Sequence, residues 1–568
     1  MKKVNYKTLK QIVFLVTLVF TAVWFFPFMT KGIDVTDMAY YLVKYKYFFS
    51  PDLELKSLGT FFTDLLGSGI YHIRNSGQVM LLIICHWALY MGSGLIVYRC
   101  FRNYVQRQLL LLAILGGSFF SLTWVHVMNY NATSMFFQTL AICVLIKGIE
   151  QERTRYIVLS GVVIGINTFF RLPNILQISV GISILWYFAF CKKEVKVGFI
   201  RCIQFAGGVL GAWVAGGVLA LFIVGKEEII SYLFQTTDTL GNAESSHGIS
   251  SILSDLYIGA KEGIKDWFFW GSILLVVLVA WNCFIIWNKS REVKEKIVYF
   301  CVGIAIFLYG GYVGCRLEYL QFYQMIGVCI LMLMLVGAFY YRKRKPLVSA
   351  VSVMTFCAEA VLSIGTNNGW NYQVVFLIFP LSVCILVVWS CKEEVVRKNV
   401  MFCTIFVASM ALVVGARYAT QYVYRDASND QLKYAVNAKE YRGIYTSKER
   451  AEYIDELQMV LEPYNEMSLL TYGDFNIGCV ITDMQPFISR IWVDLEGYSI
   501  ESMKKDLRSG IKKRGYPVIV LADLDKNGVY RDASKLNLIE SVILEGEYRL
   551  LYTNDYYKVY IPKSLSVK

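Results

Sequence analysis

The stretch QIVFLVTLVFTAVWFFPFM, residues 11–29, contains no charged side chain and follows the basic start MKKVNYKTLK. A helix needs about 20 mostly apolar residues to cross the hydrocarbon core of a bilayer. A cleavable signal peptide has a shorter apolar core and a small-residue cleavage site, whereas this run ends in Phe-Phe-Pro-Phe. The stretch therefore predicts an uncleaved first membrane span.

Comparable apolar runs recur along the chain, which is 56% hydrophobic and only 17% charged. Soluble proteins carry about 25% charged residues, so the composition predicts a polytopic α-helical membrane protein and excludes a disordered chain. Thirteen of the 14 cysteines lie at or before residue 403, mostly within apolar runs, which argues against a disulfide-stapled secreted domain. We predict about thirteen transmembrane helices, near residues 11–29, 78–98, 108–125, 132–147, 156–170, 174–190, 202–224, 267–287, 297–313, 322–340, 347–364, 373–390 and 400–416.

The basic residues indicate how these spans are oriented. If the N-terminus is cytoplasmic, the seven connections on that side carry 25 Lys and Arg, whereas the four short opposite loops carry only Arg171 and Arg316. Cytoplasmic loops are enriched in Lys and Arg. We therefore read the net charge of +13 as a topology signal rather than a nucleic-acid footprint. Two long loops, 30–77 and 225–266, and everything after residue 416 are then extracytoplasmic.

Residues 417–568 form a separate predicted unit after the transmembrane region 1–416. They hold 21 basic and 22 acidic residues, a soluble balance. Met467–Tyr472 and Pro517–Ala522 have the pattern of buried strands, Ser499–Arg514 that of an amphipathic helix, and Arg549–Tyr560 that of a closing strand or hairpin. The sequence therefore predicts a C-terminal extracytoplasmic α/β domain.

The first long loop contains the sequence KGIDVTDMAYYLVKYKYFF, residues 31–49. Thr36 is in a position to cap a helix that begins near Asp37. The two acids of this stretch, Asp34 and Asp37, have two open interpretations. Either they cap the helix and face water, or one of them takes a proton from an acceptor hydroxyl or amine at the membrane surface.

The D-x-x-Y-Y stretch after the first span, about thirteen spans, basic cytoplasmic loops and an external α/β tail together resemble the GT-C superfamily. These proteins are integral-membrane glycosyltransferases, including protein O-mannosyltransferases and the aminoarabinose transferase of lipid A. The resemblance covers most of the chain as architecture and only short motifs as sequence. It implies that the first external loop carries the essential acid, for which Asp37 is the match and Asp34 the second choice. The family often has an adjacent Asp-Glu pair, but here Met38 follows Asp37.

The resemblance also implies a sugar donor carried on a polyprenyl phosphate. A leaving phosphate needs cationic partners near the outer leaflet. The candidates are Arg171 and Arg316 at tight external turns and His247 in the second long loop. Each has a plainer alternative: the arginines extend to lipid headgroups, or Arg316 pairs with Glu318, and the histidine is solvated.

A further set of residues is expected to line the cavity or contact the sugar. Glu359 is a carboxylate within a predicted span, where such groups usually face a cavity or a partner. The others, at helix ends where Asn is also an ordinary terminating residue, are Asn129, Asn131, Asn367, Asn368 and Trp370. Some family members use a divalent metal, but the acids of this sequence form no clear ligand set.

We therefore predict a multi-pass cell-membrane glycosyltransferase that moves a sugar from a polyprenyl-phosphate donor to an extracytoplasmic acceptor. That acceptor is a cell-envelope glycan, lipid or protein, and Asp37 is the general base. Inversion at the anomeric carbon is implied by the resemblance. The alternative is a polytopic transporter or lipid-linked sugar flippase without transferase activity. Transporters often show paired repeats and broken helices, neither of which we find in the sequence.

Overall fold

A computed structural model describes most of the chain. The described residues are 6–50, 55–119, 124–230, 319–362, 376–391, 413–417, 423–473, 475–494, 498–522 and 532–564, with isolated positions between 232 and 315 and at 364 and 421.

In the part of the chain before residue 417, the described regular elements are helices, which are joined by turns and loops. Two short helices, α2 and α3, follow the first long one. The helices are α1 (Tyr6–Val23), α2 (Asp37–Tyr47), α3 (Phe61–Tyr71), α4 (Gln78–Phe101), α5 (Arg107–Phe119), α6 (Tyr130–Glu150), α7 (Thr154–Phe170), α8 (Ile182–Leu185), α9 (Val195–Val224), α10 (Tyr319–Tyr341), α11 (Pro346–Leu362) and α12 (Ile378–Trp389).

Within the described residues, four helical segments are long and apolar enough to cross a membrane. They are Gln78–Phe101, Tyr130–Glu150, Leu172–Cys191 and Val195–Val224. Six shorter apolar helices coincide with other predicted spans. The predicted spans near 267–287 and 297–313 lie almost entirely outside the described residues, as does most of the span near 400–416, so the count of thirteen stays a prediction.

The span Leu172–Cys191 departs from α-helical geometry. A ten-residue 3₁₀ helix, Leu172–Gly181, leads into α8 and then into a π-helical turn, Trp186–Cys191. Side chains three residues apart eclipse one another in a 3₁₀ helix, so Asn174 and Gln177 lie in one row. The Gln177 Nε2 donates to Gln138 Oε1 at 2.7 Å, and Asn167 Nδ2 donates to Gln177 Oε1 at 2.8 Å. These buried amides join three neighbouring helical segments.

The C-terminal part is an α/β unit, as predicted. Its strands are β1 (Tyr434–Ala435), β2 (Tyr445–Thr446), β3 (Ser468–Tyr472), β4 (Gln485–Pro486), β5 (Val518–Ala522), β6 (Tyr548–Thr553) and β7 (Tyr557–Pro562). Its helices are α13 (Lys448–Leu461), α14 (Gly478–Ile481), α15 (Ile500–Arg514) and α16 (Ala533–Glu545). Five strands form one sheet in the order β4-β3-β5-β7-β6, in which β3 is parallel to β4 and β5, and β7 is antiparallel to β5 and β6.

Alternate side chains of the sheet enter two different cores, because successive residues of a strand point to opposite faces. Leu469 and Val518 pack with α13 in a core that is continuous with the membrane helices. Leu470 and Ile519 pack with α15 and α16 in a second core. The sheet therefore separates α15 and α16 from the part of the domain that adjoins the membrane region.

Residues 24–36 connect α1 to α2, and the second half of this connection is bound directly to the C-terminal domain. The Gly32 N–H donates to Tyr445 O at 2.9 Å, and the Ile33 N–H donates to the Asp426 carboxylate at 2.7 Å. Gly32 has a φ of +92°, and a Cβ at this position would lie 2.3 Å from a methyl group of Val423. Glycine is the residue that adopts this backbone at little cost and leaves room for the approach. The connection thus places the start of α2 against the C-terminal domain.

Candidate active site

The predicted helix start at Asp37 is confirmed, but the capping side chain is Asp34 rather than Thr36. The buried Asp34 carboxylate accepts hydrogen bonds from the Thr36 N–H at 2.9 Å, the Thr36 hydroxyl at 2.6 Å and the Met38 N–H at 2.8 Å. A carboxylate at this place satisfies free N–H groups of the first turn. The two acids therefore differ in environment: Asp34 is engaged by the turn, whereas Asp37 projects from it.

Asp37 meets two side chains from the segment that enters the C-terminal domain. The Tyr424 hydroxyl donates to Asp37 Oδ2 at 2.5 Å, and Arg425 Nη1 lies 3.5 Å from the same oxygen. The side chains of Asp37 and Arg425 keep 19% and 24% of their exposure, so the pair is accessible from outside the protein. Arg425 also donates to the Thr36 hydroxyl.

The surroundings make Asp37 a stronger base than an ordinary aspartate. Burial of the carboxyl group and then the neighbouring charge of Asp34 raise the pKa of Asp37 to about 6, while Arg425 and Tyr424 oppose the rise. A group with this pKa is mostly ionised at neutral pH and accepts a proton more readily than a carboxylate with a pKa near 4. The Asp37 carboxylate is thus charged at neutral pH, accessible from outside and more basic than an ordinary aspartate.

Tyr424 and Arg425 were not predicted as site residues. Arg425 has a φ of +51°, which is uncommon for a residue with a side chain. The ring of Tyr424 stacks on Trp124 with 5.9 Å between centroids. This stacking holds the hydroxyl toward Asp37. The sequence did contain one usable signal, since Arg425 is a cation a few residues after the last predicted span, on the same side as the first loop.

Arg171 lies at the end of α7 and is buried. Its guanidinium is 5.9 Å from the ring centre of Tyr130, and the Tyr130 ring contacts Tyr41 of α2 with 5.7 Å between centroids. The ring of Tyr130 thus contacts both Arg171 and Tyr41 of α2. Of the two predicted donor arginines, it is the one that the structure describes. Arg316 and His247 lie outside the described residues.

Asn129 is the N-cap of α6 and accepts from the N–H groups of Asn131 and Ala132 at 2.9 and 3.1 Å. Both Asn129 and Asn131 are buried, and Glu359 is buried within α11. For Asn129 the helix-end interpretation is therefore the one that matches the contacts. Asn367, Asn368 and Trp370 lie outside the described residues.

Two further contacts hold α2 in place. Lys44 Nζ lies 2.5 Å from Asp64 Oδ2 of α3, in a pair with almost no exposure, and it also donates to Thr60 Oγ1 at 2.8 Å. Trp492 of the C-terminal domain contacts Tyr40, one turn after Asp37, with 5.5 Å between ring centroids. Residues of α2 are thus held between the membrane helices and the C-terminal domain.

Among the residues that the structure describes, no group of three or more His, Cys, Asp or Glu side chains is placed to hold a metal ion. Asp34 and Asp37, the acids nearest the proposed chemistry, are engaged by the helix cap and by Tyr424 and Arg425. The described donor groups therefore do not fit the divalent metal that some members of the resembled family use.

No protein-family model matches the sequence, and no curated protein matches it. Solved structures do resemble the fold. The archaeal oligosaccharyltransferase AglB from Archaeoglobus fulgidus, in complex with an inhibitory peptide and a dolichol-phosphate, is 11% identical, with a TM-score of 0.45 over 91% of this chain and 69% of that chain. The same oligosaccharyltransferase with Zn and sulfate is 12% identical, with a TM-score of 0.47 over 90% of this chain and 68% of that chain.

ArnT from Cupriavidus metallidurans in the apo state is 12% identical, with a TM-score of 0.38 over 98% of both chains. With identities near 12% and TM-scores below 0.5, the likeness is one of overall fold.

Proposed function

We propose that this chain is a membrane glycosyltransferase that moves a sugar from a polyprenyl-phosphate donor to an acceptor on the extracytoplasmic side. The observation that carries the proposal is the placement of Asp37. It is a partly exposed carboxylate of raised pKa, paired with Arg425, where the first predicted loop meets the C-terminal domain.

Asp37 is the general base of the proposed reaction. Its carboxylate removes the proton from the acceptor hydroxyl or amine as the acceptor oxygen or nitrogen attacks the anomeric carbon. The bond between that carbon and the phosphate oxygen breaks, and the phosphate leaves with the bonding electrons. An attack opposite to the leaving group inverts the configuration of the anomeric carbon.

Arg425 is the cation that we assign to the leaving phosphate. It is accessible and lies beside the base, and a guanidinium forms strong, charge-assisted hydrogen bonds with phosphate. When the phosphate leaves, its developing negative charge is stabilised by this cation. We give Arg171 a supporting role, because its guanidinium lies against Tyr130, whose ring contacts Tyr41 of α2. Arg316 and His247 remain candidates from the sequence.

Transfer is tested with the purified protein in liposomes, a panel of polyprenyl-phosphate sugars and mass spectrometry of envelope-derived acceptors. Asp37→Asn should lower the rate by about 10²–10⁴-fold, the usual contribution of a general base. Asp430→Asn is the matched control, because Asp430 is an exposed acid of the same domain junction. Full transfer by Asp37→Asn removes Asp37 from the mechanism, and flipping of the lipid without any transfer supports the transporter alternative.

A further inference from the structure

Helix α15 carries the most concentrated positive charge of the C-terminal domain. Ile500–Arg514 contains six Lys and Arg and two acids, whereas the other residues of 417–568 contain 15 Lys and Arg and 20 acids. An otherwise acidic domain thus has one strongly basic helix. The excess of positive charge is therefore a property of α15 and not of the domain, which holds 21 Lys and Arg and 22 acids in total.

The positive charges occupy one side of α15. Met503 and Leu507 are buried in the second core of the domain. Lys504, Arg508 and Lys512 follow at intervals of four residues and therefore lie on one face, about 6 Å apart along the axis. The exposed cations of the helix are Lys504, Lys505, Arg508, Lys512 and Lys513.

Helix stability alone does not explain this pattern. Like charges at positions i and i+4 destabilise a helix, and both Lys504 with Arg508 and Arg508 with Lys512 have that spacing. Cations in the last turn are favourable to the helix dipole, but this reason covers Lys512 and Lys513 and not Lys504 or Arg508. Among the described residues, none of the exposed cations of α15 forms an ion pair with an acid.

We infer that the exposed face of α15 binds a linear polyanion bearing phosphate groups, such as a phosphodiester-linked envelope polymer. A row of cations about 6 Å apart suits a flexible chain that presents one negative charge every few ångströms, because each cation can release a counterion on binding. The inference does not rest on the proposed function, since no residue of α15 belongs to the candidate active site.

The position of α15 favours a soluble polymer over the membrane surface. The helix packs on the face of the sheet opposite to α13, and it is α13 that shares a core with the membrane helices. The row of cations thus lies on the side of the domain away from that core. Anionic lipid headgroups offer the same phosphate chemistry, and the experiment below separates the two sources.

The test uses the full chain in nanodiscs of zwitterionic lipid and measures binding of fluorescent linear inorganic polyphosphate by anisotropy at several salt concentrations. The variant replaces four cations by Gln, as Lys504→Gln, Lys505→Gln, Arg508→Gln and Lys512→Gln. Gln keeps the helix propensity, and the change removes repulsion, so the variant should fold and unfold at or above the wild-type temperature. The matched control replaces the dispersed exposed cations Lys433, Arg442, Arg549 and Lys558 by Gln.

We expect the α15 variant to raise the Kd at least about tenfold at low salt. It should also reduce the slope of log Kd against log salt by about 3, at roughly 0.7 per lost contact. The control variant and Asp37→Asn should bind as the wild type does. The inference is overturned if the control variant loses as much polyphosphate affinity as the α15 variant, or if the Kd of the α15 variant is unchanged. It is also overturned if the α15 variant loses only binding to vesicles that contain phosphatidylglycerol, because the cations would then bind lipid headgroups.

Discussion

Replacing Asp37 by Asn should lower the rate of transfer by about 10²–10⁴-fold and at the same time stabilise the folded protein at neutral pH. Most substitutions of a partly buried, hydrogen-bonded side chain have the opposite effect on stability. The combination arises because the carboxylate is ionised in surroundings that favour its neutral form, and Asn is neutral at every pH. A residue with only a structural role would not produce both effects.

The size of the stabilisation follows from the pKa of Asp37. Its folded-state pKa, about 6, lies about two units above the ordinary value of 3.8. One unit corresponds to 1.36 kcal/mol, so the ionised form costs the folded state about 3 kcal/mol as an upper bound. The folded pKa is the higher one, so the cost is absent below the unfolded pKa near 4 and grows as the pH rises through 6.

The assay compares denaturant unfolding of wild type and Asp37→Asn in the same detergent at pH 4 and at pH 7.5. We expect the two proteins to differ little at pH 4 and the variant to be the more stable by up to about 3 kcal/mol at pH 7.5. Asp430→Asn, at an exposed position, should show no such pH-dependent gain. A variant that is less stable than wild type at pH 7.5 would refute the assignment of a strained, ionised Asp37.

Other substitutions test the surroundings of Asp37. Arg425→Gln removes a charge that holds the pKa of Asp37 down, so the acidic limb of the pH–rate profile should move to higher pH. Arg425→Lys keeps the charge and should give a smaller displacement. An acidic limb that does not move in Arg425→Gln would show that Arg425 does not influence the base. Asp34→Asn weakens the cap of α2 and should lower the free energy of unfolding by about 1 kcal/mol, which is measured as a lower unfolding midpoint. If the transfer rate per folded molecule also falls, Asp34 has a chemical role and not only a capping role. Lys44→Met leaves Asp64 buried without its cation and should lower the free energy of unfolding by about 3–5 kcal/mol. Adding Asp64→Leu should restore much of that stability. A double variant no more stable than Lys44→Met would show that the loss of the ion pair does not cause the destabilisation.

Local patterns predicted the elements of the C-terminal domain closely. The strands expected at Met467–Tyr472 and Pro517–Ala522 begin one residue later than predicted, and the helix expected at Ser499–Arg514 spans Ile500–Arg514. A buried strand or an amphipathic helix is defined by the spacing of its own side chains, so this information lies within a few residues of sequence. The helix start at Asp37 was predicted from a nearby capping residue, which is also local information, although the capping side chain is Asp34 and not Thr36.

The partners of Asp37 were not predictable from local patterns. Tyr424 lies 387 residues after it, and their contact depends on how the C-terminal domain packs on the segment before α2. The same limit applies to the cap: Thr36 and Asp34 are both good capping residues, and the conformation of the turn decides between them. Arg171 lies at the end of α7, where a turn was expected, but its contact with Tyr130, and through that ring with Tyr41 of α2, could not be read from local sequence.

The hydrogen bonds that Asp426 and Arg450 form with the segment before α2 have a consequence for the synthesis of the protein. Arg450 Nη1 donates to Ile33 O at 2.6 Å, and Asp426 accepts from the Ile33 N–H. A nascent chain that has inserted its first helices therefore carries Asp37 without its tyrosine or its arginine. The contacts of Asp37 with Tyr424 and Arg425 form only after those two residues have been synthesised, so under the proposed function a shorter chain would have no activity.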